Sequence, residues 1–176
     1  SKLRLTGGEP LVRADLHKLV AQLARLEGID DLALTTNGIL LEQQAQALKH
    51  AGLTRLNISL DTLDEATFQR ISRREGVARV LAGIAAAKRA GFEKTRLNAV
   101  AIRGITEAEI EPLARFARKH QLELRFIEFM PLDAQQHWQN DQVLTGDEIR
   151  RVLEESFGEL LPADRPDPSQ PASDFV

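Results

Sequence analysis

Leu3-Arg4-Leu5-Thr6-Gly7-Gly8-Glu9-Pro10, LRLTGGEP in one-letter code, is the stretch whose reading decides the fold. An apolar run broken by Arg4 ends in two glycines, an acid and a proline, and a helical pattern starts only near Val12. A strand exit needs one turn residue. Two adjacent glycines also strip side chains from the backbone, which a site requires when a ligand must hydrogen-bond main-chain groups at close range. The unit is a strand, a bare loop and then a helix.

Four further runs repeat that unit: Asp31 to Thr35, Arg55 to Ser59, Thr95 to Ala101 and Leu122 to Phe129, after a first run at Leu3 to Thr6. Amphipathic patterns lie between them. Leu16, Leu19, Val20, Leu23 and Leu26 follow helical spacing, with Gly28 as the expected C-cap; Leu41, Ala45 and Leu48 precede Gly52. Asp64 is placed to cap a short helix, and a second begins near Gly76 and buries Val77, Val80, Leu81 and Ile84. Thr106 with Glu109 and Thr145 with Glu148 have capping-box spacing. Connections of this length force parallel pairing, so the fold class is α/β with about five parallel strands. A barrel and an open doubly wound sheet both fit this pattern. The domain spans 1–161, and Pro162 to Val176, rich in proline and without periodicity, reads as a linker or disordered tail.

Composition narrows the function. With 43% hydrophobic and 28% charged residues the 176-residue chain is an ordinary globular domain, and a net charge of -3 argues against general nucleic-acid or membrane-surface binding. No apolar run is long enough to span a bilayer, and nothing resembles a signal peptide, so the expected location is the cytoplasm. The absence of cysteine excludes thiol catalysis and any iron-sulfur site carried by this chain alone. A start at Ser1, with a strand beginning almost at once, predicts a piece of a longer protein.

In parallel α/β folds ligands gather at the carboxyl ends of the strands. Those ends read Thr6-Gly7-Gly8-Glu9, Thr35-Thr36-Asn37-Gly38, Asn57-Ile58-Ser59-Leu60-Asp61 and Glu128-Phe129-Met130-Pro131. Polar groups also interrupt apolar strands: Arg4 between leucines, Arg96 and Asn98 on one face, and Arg125 between Leu124 and Phe126. A single embedded arginine reads equally as an ion pair or as an anion site. Arg4, Arg96 and Arg125 together with Lys2 point to a polyanion such as phosphate, because neighbouring strands show too few acids to neutralise them all. Asn37-Gly38 reads as a turn, and Asp61 and Asp64 as helix caps. His17, His50, His120 and His137 read as solvated, and Arg70, Arg73 and Arg74 as a wet face.

RLTGGEP, LALTTNG, LNISLD and LRFIEFM, in this order and spacing, resemble the central part of the radical S-adenosylmethionine (SAM) enzymes, and within them the GTP 3',8-cyclases of molybdenum cofactor biosynthesis. The resemblance implies a partial TIM-like (βα)6 barrel that holds SAM. Family members cleave SAM reductively at a 4Fe-4S cluster and abstract hydrogen from GTP, and a partner enzyme converts the cyclised product to cyclic pyranopterin monophosphate. Gly7, Gly8 and Glu9, with Ser59 and Met130, match positions around SAM. Lys2, Arg4, Thr35, Arg96 and Arg125 match the GTP side, with Arg96 where the family commonly has lysine. The family's two cysteine motifs would precede Ser1 and follow Val176, so the chain reads as a cluster-free middle segment that makes no radical by itself. No resident metal and no nucleic-acid or membrane partner is expected. The first strand, at a sheet edge, leaves a homodimer open.

Overall fold

The computed structural model describes residues 1–130, 140–163 and 173–176. Five strands form one sheet: β1 (Lys2–Leu5), β2 (Asp31–Thr36), β3 (Arg55–Ser59), β4 (Thr95–Ala101) and β5 (Glu123–Glu128). All four pairings are parallel and the spatial order is the chain order, β1-β2-β3-β4-β5. That order decides between the two architectures. A doubly wound sheet reverses direction partway, whereas successive right-handed crossovers with no reversal lay every helix on the same face and curl the sheet toward a barrel.

The helices are α1 (Leu16–Leu23), α2 (Leu41–His50), α3 (Glu65–Ser72), α4 (Val77–Arg89), α5 (Ile110–His120) and α6 (Gly146–Phe157). Leu32, Leu34, Leu56, Ile58 and Leu97 from the strands meet Val20, Leu41, Leu48, Val80 and Leu113 from the helices in one core. A smaller cluster of Ala101, Ile110, Leu144 and Ile149 joins α5 and α6 to the end of β4. Strand residues alternate faces, and the register aligns the alternation across the sheet: Arg4 beside Ala33 beside Arg55, then Thr35 beside Asn57 beside Arg96 beside Glu123, then Ser59 beside Asn98 beside Arg125. The face away from the helices therefore carries polar or charged side chains on every strand, with Ala33 between Arg4 and Arg55.

Several local expectations change. Helix α1 ends at Leu23, so Leu26 is 55% exposed and Gly28 sits in the turn beyond the helix. Val12 lies in a short 3-10 turn (Pro10–Val12) ahead of α1 and is largely exposed. The capping box at Thr145 and Glu148 forms, and the one at Thr106 and Glu109 does not. Thr106 is buried, so its hydroxyl turns to the nearest backbone, donating to the Val100 carbonyl and accepting from the Ile102 amide, both at 2.8 Å. Glu109 instead accepts from the Leu63 amide at 2.8 Å. Asp64 caps α3 through the Thr67 amide, but Asp61 caps no helix and accepts from the Val100 amide of β4 at 2.8 Å. The ends of the tail pair with each other, Pro162 opposite Phe175 in an antiparallel bridge. Residues 131–139, including His137, and 164–172 lie outside the described residues. Among those described, no helix is long and apolar enough to cross a membrane.

Helices α2 and α4 come close at two glycines. A Cβ on Gly83 would stand 2.6 Å from the Gly38 carbonyl oxygen and 3.0 Å from Leu41 Cβ, and Gly38 itself has φ +78°. Helix propensity alone favours alanine over glycine inside α4 by about 1 kcal/mol. The contact with a backbone atom reverses the sign, and Gly83→Ala is expected to destabilise the fold by about 1–3 kcal/mol in urea unfolding. An unchanged or raised midpoint would show that α4 can shift freely.

Candidate functional site

The loop after β1 is built around one carboxylate. Glu9 Oε1 accepts from the Leu11 amide at 2.9 Å and the Thr36 hydroxyl at 2.7 Å, and Oε2 accepts from the Asn37 amide at 2.7 Å. Thr36 Oγ1 in turn accepts from the Gly38 amide, and Asn37 Oδ1 from the Ile39 amide, so two strand-exit loops are locked through a single side chain. This holds Gly7 and Gly8 at the rim. Gly7 has φ +119°, which L side chains rarely adopt, while a Cβ on either glycine would meet nothing within 4 Å. The backbone of this loop is thus presented to open space, as the sequence anticipated. Its glutamate turns toward the neighbouring loop.

Ser59 is exposed at the end of β3, and Met130 is 49% exposed two residues past β5. Both belong to the rim at the carboxyl ends of the strands, as do the two glycines.

The cationic residues share the polar face. Arg96 is mostly buried and donates to Glu123 Oε1 at 2.6 Å, and the same oxygen lies 3.8 Å from Arg125 Nη2. Burial, then repulsion from Arg96, lowers the Arg125 pKa; Glu123 and Asp174 oppose this, and Arg4 adds to the lowering. Arg4 is thus within electrostatic reach of Arg125. Among the described residues Arg4 and Lys2 have no ion-pair partner, and Lys2 stands at the start of β1, below Arg4 on the same face.

The expected shortage of acids holds for Arg4 and Lys2 but not for the others. Glu123 serves Arg96 and Arg125, and Asp31 binds Arg55 at 2.6 Å. Arg55, which sequence reading passed over, lies two residues before Asn57 on the same face, so the alternation that singled out Arg4, Arg96 and Arg125 also finds Arg55.

Two more features complete the lining. Thr35 Oγ1 accepts from Asn57 Nδ2 at 3.5 Å. The buried polar atoms without a partner among the described residues are Arg55 Nε, Asn57 Oδ1 and Asn98 Oδ1, and all three belong to this one face. The expected surface groups stay at the surface: His17 and His50 are exposed, His120 stacks on Phe116, and Arg70, Arg73 and Arg74 are solvated. Among the described residues no three metal-ligating side chains gather.

The pattern that describes the Radical SAM superfamily matches residues 1–117. The chain belongs to the radical SAM superfamily. A GTP 3',8-cyclase of Rhodopirellula baltica is 54% identical over 174 residues, covering 99% of this chain and 48% of its own length. Those of Thermodesulfovibrio yellowstonii and Mycolicibacterium smegmatis are 43% and 48% identical and cover 92% and 98% of the chain. The chain spans about half the length of these relatives.

Solved structures share the fold. A domain of pyruvate-formate lyase-activating enzyme from Bacteroides vulgatus has a TM-score of 0.66 at 18% identity, covering 88% of this chain and 91% of its own. A radical SAM methyltransferase from Sphaerobacter thermophilus has a TM-score of 0.67 at 18% identity, covering 88% and 47%.

Two side chains give tests of this geometry. In Glu9→Gln one carboxylate oxygen becomes an NH2 group, which faces either the Asn37 amide or the Leu11 amide, two donors with no acceptor between them. We expect a loss of about 1–3 kcal/mol and faster hydrogen exchange at Asn37 or Leu11 with β3 and β4 amides unaffected; unchanged protection at both would contradict the lock. Burial raises the Asp61 pKa, with the Val100 amide opposing it. Because the folded pKa is raised, ionising Asp61 costs stability, a penalty absent below the ordinary value of 3.8 and complete once pH exceeds the folded pKa. Asp61→Asn keeps the acceptor and removes the charge, so its stability relative to the parent should grow across that window. A pH-independent difference would contradict the burial.

Proposed function

We propose that this chain supplies the barrel wall that binds SAM and GTP in a GTP 3',8-cyclase of molybdenum cofactor biosynthesis. The observation that carries the reading is the convergence of Arg4, Arg96 and Arg125 on the uncovered face of the sheet, with Arg4 lacking an ion-pair partner among the described residues. Cations left unneutralised on a half-buried face await an anion, and planar guanidinia suit phosphate oxygens. Identity at this level across nearly the whole chain supports GTP as the compound that brings the phosphates.

The division of labour follows from position. Gly7 and Gly8 offer bare, locked backbone at the rim and fit the polar end of SAM, with Ser59 and Met130 as further rim contacts. Bound there, SAM supplies the radical chemistry that starts the rearrangement. Glu9 orients the glycine loop. Arg4, Arg125 and Lys2 hold the phosphates, Thr35 offers a hydroxyl, and Arg96 contributes its remaining N–H groups while Glu123 fixes its orientation.

A 4Fe-4S cluster does not fit the donors of this chain, which has no cysteine and, among the described residues, no gathered histidines or carboxylates. The reductant and the enzyme that takes up the cyclised product are partners of the complete protein.

The reading is tested by titration calorimetry on the complete protein. Arg4→Ala and Arg125→Ala should each weaken GTP binding roughly tenfold to a hundredfold while leaving SAM binding as in the parent. Unchanged GTP affinity would favour a radical SAM enzyme with a peptide or another small molecule as substrate.

A further inference from the structure

We infer that Glu123 is a specificity-determining residue of the phosphate site, withholding the position between Arg96 and Arg125 from single phosphates and leaving the site to a chain of phosphates that also reaches Arg4 and Lys2. The assignment rests on the reading above. Glu123 Oε1 lies 2.6 Å from both Nε and Nη2 of Arg96 and 3.8 Å from Nη2 of Arg125. Glu123 stands in register beside Arg96 and is an alternate residue of β5 to Arg125, so the carboxylate shares their face. One protein oxygen therefore occupies the point at which a phosphate oxygen would bridge the two guanidinia.

A structural ion pair matches charge for charge, as Asp31 and Arg55 do with side chains 24% and 23% exposed. Glu123 differs on both counts. It serves two guanidinia with one charge, and it is 53% exposed where Arg96 is 15% exposed. Ion pairs with a solvated partner add little to fold stability. Its charge is nonetheless felt across the pair: burial lowers the Arg125 pKa, repulsion from Arg96 lowers it further, and Glu123 opposes both.

The chemistry of the guanidinium turns this into selection. Its N–H groups donate and never accept, and an edge spent on one oxygen is closed to another. With Nε and Nη2 turned to Glu123, Arg96 offers an incoming anion only its outer N–H groups, beside a like charge. A single phosphate has nothing to set against that repulsion. A triphosphate has further groups for Arg4 and Lys2, which have no ion-pair partner among the described residues.

The experiment titrates the parent complete protein, Glu123→Gln and Glu123→Ala with GTP, GMP and inorganic phosphate, following heat and the arginine Nε–Hε signals. In both variants phosphate and GMP should bind about tenfold tighter than to the parent, with a smaller gain for GTP, so the preference for the triphosphate shrinks. Phosphate should then shift Arg96 and Arg125, whereas in the parent it shifts Arg4 and leaves those two unmoved. Equal gains for all three anions would reduce Glu123 to a uniform brake and overturn the proposal. So would an unchanged preference with lowered thermal midpoints, which a purely structural ion pair would give, or weaker GTP binding with phosphate unaffected, which loss of Arg96 orientation alone would give. A parent that binds phosphate but shows no preference for GTP would remove the nucleotide reading, and this proposal with it.

Discussion

A parallel sheet wound in chain order has helices on one face only, and this asymmetry governs the rest of the molecule. On the covered face, leucine and isoleucine from the strands meet helix side chains in a continuous core. The other face gains nothing from burial against helices, and its residues are free to be arginine, asparagine, threonine and serine. Because strand side chains alternate, the same residues that build the core fix, one position over, the lining of the site. Slipping one strand by a residue would bring arginines into the core and leucines into the site, so fold and site share one register.

The loops at the carboxyl ends are held by carboxylates accepting backbone amides across strand boundaries: Glu9 on Asn37, Asp61 on Val100, Glu109 on Leu63 and Glu128 on Gly146, the last at 2.6 Å. Each acid joins segments that are remote in the chain, and Glu9 and Glu109 each tie one strand-exit loop to another. The glycines at the rim can therefore be both bare and fixed, which placement of a small ligand requires. Within the face, Glu123 and Asp31 at the beginnings of their strands orient Arg96 and Arg55, and among the described residues Arg4 has no ion-pair partner.

Much of this was legible in the sequence. The third and fourth strands were bounded by residue type alone, and the period-2 interruption by Arg4, Arg96 and Arg125 marked the polar face before any coordinates. Interstrand pairing was not legible, because register depends on which residues face each other across connections of a dozen or more residues. That is why Glu123 was not matched to Arg96, nor Arg55 to Asp31. Local capping spacing likewise misled at Thr106 and Glu109, where burial of the threonine and the proximity of Leu63 redirected both side chains. Asp61 looked like a cap since its true partner, Val100, is remote in the chain.

The central claim is that one face of the sheet gathers its guanidinium groups around a nucleotide. The most direct measurement is a titration of the complete protein with GTP, followed by NMR of the arginine Nε–Hε groups. The account predicts shifts at Arg4, Arg96 and Arg125, with Arg70, Arg73 and Arg74 unmoved. Shifts confined to those outer arginines, or saturation of GTP binding without any change at Arg4, Arg96 and Arg125, would contradict it.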